Sequence, residues 1–275
     1  VCPALSYIKK DLNTMNNPKA LAFTDLTSDA VKNLPAEQYL VIWPIGALEQ
    51  HGPHLPLGTD SLVLDAVVQQ ARLRLGQDFT GLFLPELWYG KSPEHLAFPG
   101  TVSLKATALI AIAEDLVASL APHGFKNFVF LNGHGGNTPL LDAIGYDLNY
   151  SYGTKIYYAN LWDGAFFNDI TEKLFPTLVG TEVHAASIET SLLMYLAPET
   201  VGEIPHFDTF VSFKDRLPAS WVSHEFDTSG VIGDPSLASA EAGRQIMDYT
   251  VERVCDLLKR ISEEVTRAHP KPKAI

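Results

Sequence analysis

Residues 39–60 read YLVIWPIGALEQHGPHLPLGTD, and this stretch decides the fold class. Tyr39–Ile45 is a short apolar run of strand length, rich in β-branched and aromatic side chains. A polar loop follows from Gly46, stiffened and turned by Gly52, Pro53, Pro56 and Gly58. Residues 61–75 then carry a helical pattern. Strand, polar loop and helix make up the repeating unit of an α/β protein, in which ligands collect beyond the carboxyl ends of the strands.

The same alternation continues outward. Strands are expected at 81–87 (GLFLPEL), 127–131 (NFVFL) and 155–161 (KIYYANL). A helix is expected to start near Ser103, with Ser103 as N-cap and Gly124 as stop, its apolar stripe being Leu109, Ile110, Ala113, Leu116, Val117 and Leu120. Further helices are expected at 139–148, 187–196 and 240–265, the last with Met247, Val251, Val254, Leu258, Ile261 and Val265 on its buried side. The pattern predicts a parallel sheet with helices on both faces. Residues 197–235 are irregular, which in a compact domain marks a functional loop or an interface. The tail 269–275 has nothing to dock it. One domain over 1–275 is expected, with its core at about 20–266 and peripheral termini.

Composition narrows the function. Thirty-two acidic residues against 20 basic ones give a net charge of −12, which disfavours nucleic acid and anionic membranes as partners. At 46% hydrophobic and 19% charged, the chain can bury a sizeable core. Cys2 and Cys255 form neither a disulfide framework nor a thiolate metal site, so any metal must be held by nitrogen and oxygen. No uninterrupted apolar run is long enough to span a bilayer. The opening VCPALSYIKKDL lacks a signal peptide's apolar core, so a cytoplasmic setting is expected, with a trimmed leader left open.

Polar clusters follow the expected strands. In the first, Glu49 and His51 are two apart and project to one side of an extended segment, and the turning loop can return Asp60 to the same place. A carboxylate beside an imidazole suits one borderline cation or one each of two, and Asp60 has two oxygens with which to bridge; the alternative is an ordinary polar loop with Asp60 as a helix N-cap. His54 is a weaker candidate that orients the loop. The second cluster, NGHGGN (132–137), flanks His134 with glycines that allow close backbone approach, and Asn132 and Asn137 can pin the loop. It lacks the lysine of a phosphate-binding loop. The third, HAASIETS (184–191), places Glu189 early in a helix and His184 in the loop before it. In the fourth, PEHLAFPGT (93–101), His95 is a candidate for substrate contact or for support of the ligands. Five donors from three segments fit a dinuclear centre better than a single site. No G-x-S-x-G elbow is present, so a metal-activated water is the expected nucleophile.

On GALEQHGPHLPLGTD, EHLAFPGT, NGHGGN, HAASIETS and SGVIGDP (229–235), in that order, the sequence resembles the creatininase (creatinine amidohydrolase) family. The resemblance implies a three-layer α/β/α fold and two divalent ions, zinc or manganese, with iron as a further option. One ion would take Glu49, Asp60 and His134, the other His51, Asp60 and Glu189. It also implies a proton shuttle at His184, acting with Glu189 at the reacting centre, a tryptophan over the substrate at Trp162, and a homo-oligomer, commonly a hexamer. One departure matters: creatininase itself has an aromatic residue and a glutamate where this chain has Gly135 and Gly136. That change points away from creatinine and toward other amides, since the wider family includes a formamide-removing enzyme and a peptidase. Trp88, His95, Gly135, Trp162 and the 197–235 stretch are the expected substrate surroundings. The expected activity is hydrolysis of a small amide, lactam or formamide C–N bond. The alternatives are a peptidase acting on a short peptide, a metal-binding protein without turnover, and an isomerase or lyase on a sugar-like substrate.

Overall fold

The computed structural model describes residues 20–178, 180–207 and 219–268. Cys2, the tail 269–275 and part of the irregular 197–235 stretch lie outside the described residues. In chain order the main elements are β1 (Ala20–Ala22), α1 (Ser28–Lys32), β2 (Leu40–Ile45), α2 (Thr59–Leu75), β3 (Gly81–Phe83), α3 (Ala106–Leu120), β4 (Asn127–Asn132), α4 (Thr138–Tyr152), β5 (Lys155–Asn160), α5 (Gly164–Leu174), α6 (Ser187–Leu196) and α7 (Ala240–Ala268). The five strands form one sheet in the order β1-β3-β2-β4-β5, and every neighbouring pair is parallel.

Period-two alternation sorts the central strands between two cores. Leu40, Ile42, Val129 and Leu131 face one way and pack with α2, α5, α6 and α7 through Leu64, Val67, Phe166, Leu193 and Val254. Val41, Trp43, Ile45, Phe128 and Phe130 face the other way and meet Leu109, Val117, Leu141 and Leu148 of α3 and α4. Every residue of β2 and β4 is buried because helices cover both faces, which gives these strands their near-continuous apolar sequence. The result is the expected three-layer α/β/α fold. All six residues expected along the last helix are buried, and each contributes about 1.5–3 kcal/mol of burial.

The boundaries differ from expectation where local chemistry intervenes. The strand expected at 81–87 stops at Phe83, because Pro85 has no N–H to continue the ladder. Pairing resumes at Leu87, whose N–H bonds Pro44 O at 3.0 Å. The helix expected from Ser103 starts at Ala106, since Ser103 Oγ is engaged by the Ser92 N–H at 2.8 Å and Lys105 takes the cap position. Gly124 ends the turn that follows, with φ 92°. The helix expected at 139–148 continues to Tyr152, where Gly153 caps it at φ 60°. Asp60 is the second residue of α2 rather than its N-cap, which is Gly58. Elements β1, α1 and α5 are additional to the expected set. Helical residues 106–123 reach a mean hydropathy of 1.2 over 18 residues, enough by length and composition to cross a membrane, contrary to the sequence reading. Their buried stripe, Leu109, Ala113 and Val117, packs against the sheet.

Candidate metal centre

The centre forms where β2 and β4 end side by side. The Gly133 N–H bonds Ile45 O at 2.9 Å, tying the loop after β4 to the end of β2. Asn137 Nδ2 donates to Gly46 O and to Asn132 Oδ1, both at 3.1 Å, and Asn132 Nδ2 donates to His134 O at 2.7 Å. The two asparagines thus fasten His134 to the first loop, as their spacing suggested. Asp60 and Glu189 each lie in the first turn of a helix, where the macrodipole favours a carboxylate. The backbone of His184 is clamped by Ile232, which accepts its N–H at 3.0 Å and donates to its carbonyl at 2.9 Å. This pairing explains the SGVIGDP segment. Between His184 and α6, Ala185 takes a left-handed φ of 53°, a strained conformation of the kind found at functional loops.

The structure brings Glu49, His51, Asp60, His134 and Glu189 together, all buried. Asp60 turns one oxygen to each side: Oδ1 lies 3.5 Å from His51 Nε2 and Oδ2 lies 3.1 Å from His134 Nδ1. Glu189 Oε1 is 3.8 Å from His51 Nε2, and Glu49 Oε2 is 3.4 Å from His134 Nε2. Two donor sets emerge, Glu49/Asp60/His134 and His51/His184/Glu189, each with its donor atoms within 4.8 Å of one another. In the second set His184 stands where Asp60 was expected, although Asp60 Oδ1 still faces His51. A third set, Glu49/His95/His184, adjoins the first through Glu49 and the second through His184.

These side chains suit divalent cations. Glu49 Oε2, His51 Nε2 and Asp60 Oδ2 are buried with no hydrogen-bond partner, a costly arrangement unless a cation completes it. The opposite ring nitrogen of His51 is committed, Nδ1 donating to Glu49 O at 3.1 Å. His134 Nε2 donates to Lys91 O at 3.1 Å. Such backing leaves one lone pair of each ring directed at the cluster. Burial pushes Glu49 up to about 7, with Asp60 adding to the rise and His134 opposing it. Burial also pulls His134 down, but Glu49 and Asp60 outweigh it and hold the ring at about 9. His51 behaves likewise, raised by Asp60 and Glu189 against its burial. Protons on these rings occupy the electrostatic role that a dication would take over.

His95 and His184 stand against the cluster, stacked at a centroid distance of 4.1 Å. Burial and the neighbouring imidazoles push His95 down to about 2 and His184 to about 4, so both rings are neutral. His54 lies outside the cluster and bonds Thr190 Oγ1 at 2.9 Å, in keeping with a loop-orienting role. A cavity of about 1030 Å³ opens over the centre, lined by Glu49, Asp60, His95, His134, Gly135 and Trp162, among others. Trp162 is fixed by its Nε1–H bond to Gly133 O at 2.6 Å and by stacking on Phe167. Trp88 is 42% exposed and does not line this cavity. Sequence reasoning missed Gln50, Lys91, Ser92, Glu94 and Ser223, all in or behind the cavity wall. Gln50, between Glu49 and His51, and Glu94, beside His95, lie within motifs whose positions could have flagged them.

The sequence matches the profile of a family described as "Creatininase: Creatinine amidohydrolase" over residues 24–258. It is 28% identical to the creatinine amidohydrolase of Pseudomonas putida, over 80% of this chain and 88% of that protein. It is 30% identical to the mycofactocin precursor peptide peptidase of Mycobacterium tuberculosis (strain CDC 1551 / Oshkosh), over 91% of this chain and 96% of that protein. Among solved structures, a mutant creatininase of Zn-Zn type superposes with a TM-score of 0.71 at 27% identity, covering 88% of this chain and 97% of that one.

Proposed function

The chain belongs to the creatininase family, and on that premise we propose that it is an amidohydrolase that cleaves a small amide, lactam or formamide C–N bond at a dinuclear metal site. The observation that carries the reading is Asp60, whose two oxygens face two different histidines inside a cluster of orphaned donors. Glu49, Asp60 and His134 would hold one divalent ion, and His51, Asp60 and Glu189 the other, with zinc or manganese as the natural choice for nitrogen and oxygen donors. When bound, the ions would supply an activated water and a charge that polarises the substrate carbonyl. The protein does the rest. Trp162 and Phe167 wall the cavity and shed water from it. His184, neutral and buried beside Glu49, would move a proton to the leaving nitrogen. His95, Gly135 and Trp162 line the space that the substrate would fill.

A second reading is favoured by a specific observation. The cavity of about 1030 Å³ lies at the upper end of the range for drug-sized ligands, and Gly135 adds no side chain to fill it. That room suits a short peptide better than a compact ring, and the peptidase relative matches across 91% of this chain. Creatinine is the least favoured of the substrates. A homo-oligomer, hexameric by resemblance, is part of the same proposal.

The deciding experiment is a screen of zinc- and manganese-loaded protein against cyclic ureas, lactams, formamides and short peptides, read by mass spectrometry in ¹⁸O-water. Metal-dependent incorporation of one labelled oxygen into a product identifies the substrate class. Fully metal-loaded protein that turns over none of them would leave a binding protein. Product without label would point to an isomerase or lyase.

A further inference from the structure

Gln50 stands between Glu49 and His51 in the chain, and its buried carboxamide meets two other histidines, His95 and His184. Its Oε1 accepts the Gly52 N–H at 2.8 Å, which fixes the oxygen end of the amide. The NH₂ end has two hydrogens and three polar neighbours: His95 Nδ1 at 2.8 Å, His184 Nε2 at 3.0 Å and Gly230 O at 3.1 Å. A carbonyl only accepts, so Gly230 takes one hydrogen. His184 Nε2 also lies 2.7 Å from the backbone carbonyl of Gln50, so this nitrogen carries its own proton and donates it there. Its 3.0 Å approach to the amide nitrogen is then a contact rather than a bond. The second amide hydrogen falls to His95 Nδ1, which must be bare to receive it. Ser223 Oγ, 2.7 Å from the same nitrogen, lies in position to support it.

The consequences appear on the far side of each ring. His95 must carry its proton on Nε2, 3.5 Å from Glu49 Oε1. His184 must present an unprotonated Nδ1, 3.7 Å from the same oxygen. Two stacked rings thus offer opposite functions to one carboxylate, a donor from His95 and a lone pair from His184.

We propose that Gln50 is a positioning residue that fixes both tautomers, His95 through its side-chain amide and His184 through its backbone carbonyl. His95 then turns its Nε2–H toward Glu49 Oε1, 3.5 Å away, and leaves Oε2 for the cluster. The lone pair of His184 Nδ1 can receive the proton released when water forms the new C–O bond. It can return that proton to nitrogen as the C–N bond breaks, so His184 ends unchanged. This catalytic consequence rests on the hydrolase reading, whereas the tautomers belong to the fold alone.

The test is long-range ¹H–¹⁵N correlation of histidine side chains in ¹⁵N-labelled, zinc-loaded protein, whose ring-nitrogen shifts report the tautomer directly. Assignments come from the peaks lost in His95→Asn and His184→Asn. In the unaltered protein both His95 and His184 should be Nε2–H. In Gln50→Glu, which replaces the donor by an acceptor of the same shape, the His95 proton should move to Nδ1 while His184 keeps its pattern. Where a substrate is in hand, kcat should fall at least tenfold with KM little changed. An Nδ1–H tautomer at His95 in the unaltered protein would overturn the proposal even if Gln50→Glu did not fold. An unchanged His95 pattern in a folded Gln50→Glu would overturn it as well. The predicted tautomer shift in a protein that hydrolyses no amide would support the positioning role and count against the hydrolase reading.

Discussion

The Glu94 carboxylate occupies the space beside Gly136: a Cβ at position 136 would stand 2.5 Å from Glu94 Oε1. It would also stand 2.5 Å from His134 Nε2 and 2.4 Å from Lys91 O. At Gly135 a Cβ would meet nothing within 4 Å. Two adjacent glycines therefore do different things, one keeping the cavity open and the other admitting a neighbouring acid and a backbone carbonyl. Gly135→Ala should fold with stability within about 0.5 kcal/mol of the parent. Gly136→Ala should displace His134 or Glu94 and weaken zinc binding at least tenfold by titration calorimetry. Equal zinc affinity in both variants would show that the crowding at 136 does not reach His134.

Asp60 should be the residue on which metal content depends most. Its oxygens face His51 and His134, so losing it would remove the donor that the two proposed ion sites share. The parent should bind two zinc ions per chain, and excess zinc should raise the Tm because only the folded chain assembles the donors. Asp60→Ala should lose both the bound metal, by elemental analysis, and the rise in Tm. If Asp60→Ala retained full metal content and rate, its bridging role would be disproved.

Much of this centre was legible because its donors sit in short, punctuated motifs. Glu49, His51, Asp60 and His134 were identifiable from polar residues following strands, whereas Glu189 opens a helix that comes after another helix; the parallel sheet covered on both faces followed from the alternation of elements. What escaped were contacts that join segments distant in sequence. Gln50 meets His95 and Gly230 across separations of 45 and 180 residues, and no local pattern encodes such a meeting. Helix α5 escaped for another reason: its apolar residues Phe166, Phe167 and Ile170 give only a short stripe among polar neighbours. The end of β3 was misjudged because apolar content outweighed Pro85, whose missing N–H decides the matter.

Helices α6 and α7 touch backbone to backbone, which makes Gly243 sensitive. A Cβ there would fall 1.8 Å from Ser191 O. Alanine is worth about 1 kcal/mol over glycine as a helix former. Overpacking of this kind costs about 1–3 kcal/mol, and more where backbone must move. Gly243→Ala should therefore be net destabilising by about 2 kcal/mol in urea denaturation. It should also lower zinc affinity, since Ser191 lies two residues beyond Glu189 on the same helix. A stabilised variant would mean that propensity wins and that the helices can separate freely.

Glu86 should give the fold a pH dependence of its own. Both carboxyl oxygens are buried without a hydrogen-bond partner, and the nearby Ser61 hydroxyl spends its proton on Ala47 O at 3.3 Å. Burial raises this carboxyl from 4.5 to about 8; the Ser61 hydroxyl opposes the rise only in part, and Asp65 and Asp60 add to it. The folded chain therefore keeps a proton that the unfolded chain releases. Below pH 4.5 both states hold it and folding loses nothing. From there to about pH 8 the unfolded state gains by ionising, so the stabilising difference is progressively lost as pH rises. Glu86→Gln removes the titration while keeping the shape. The variant should match the parent near pH 4.5 and exceed it by about 4 kcal/mol at pH 8, roughly 8–16 °C in Tm for a chain of this size. Parallel stability curves for the two proteins between pH 5 and 8 would mean that Glu86 is already ionised in the fold, with water or a cation reaching it.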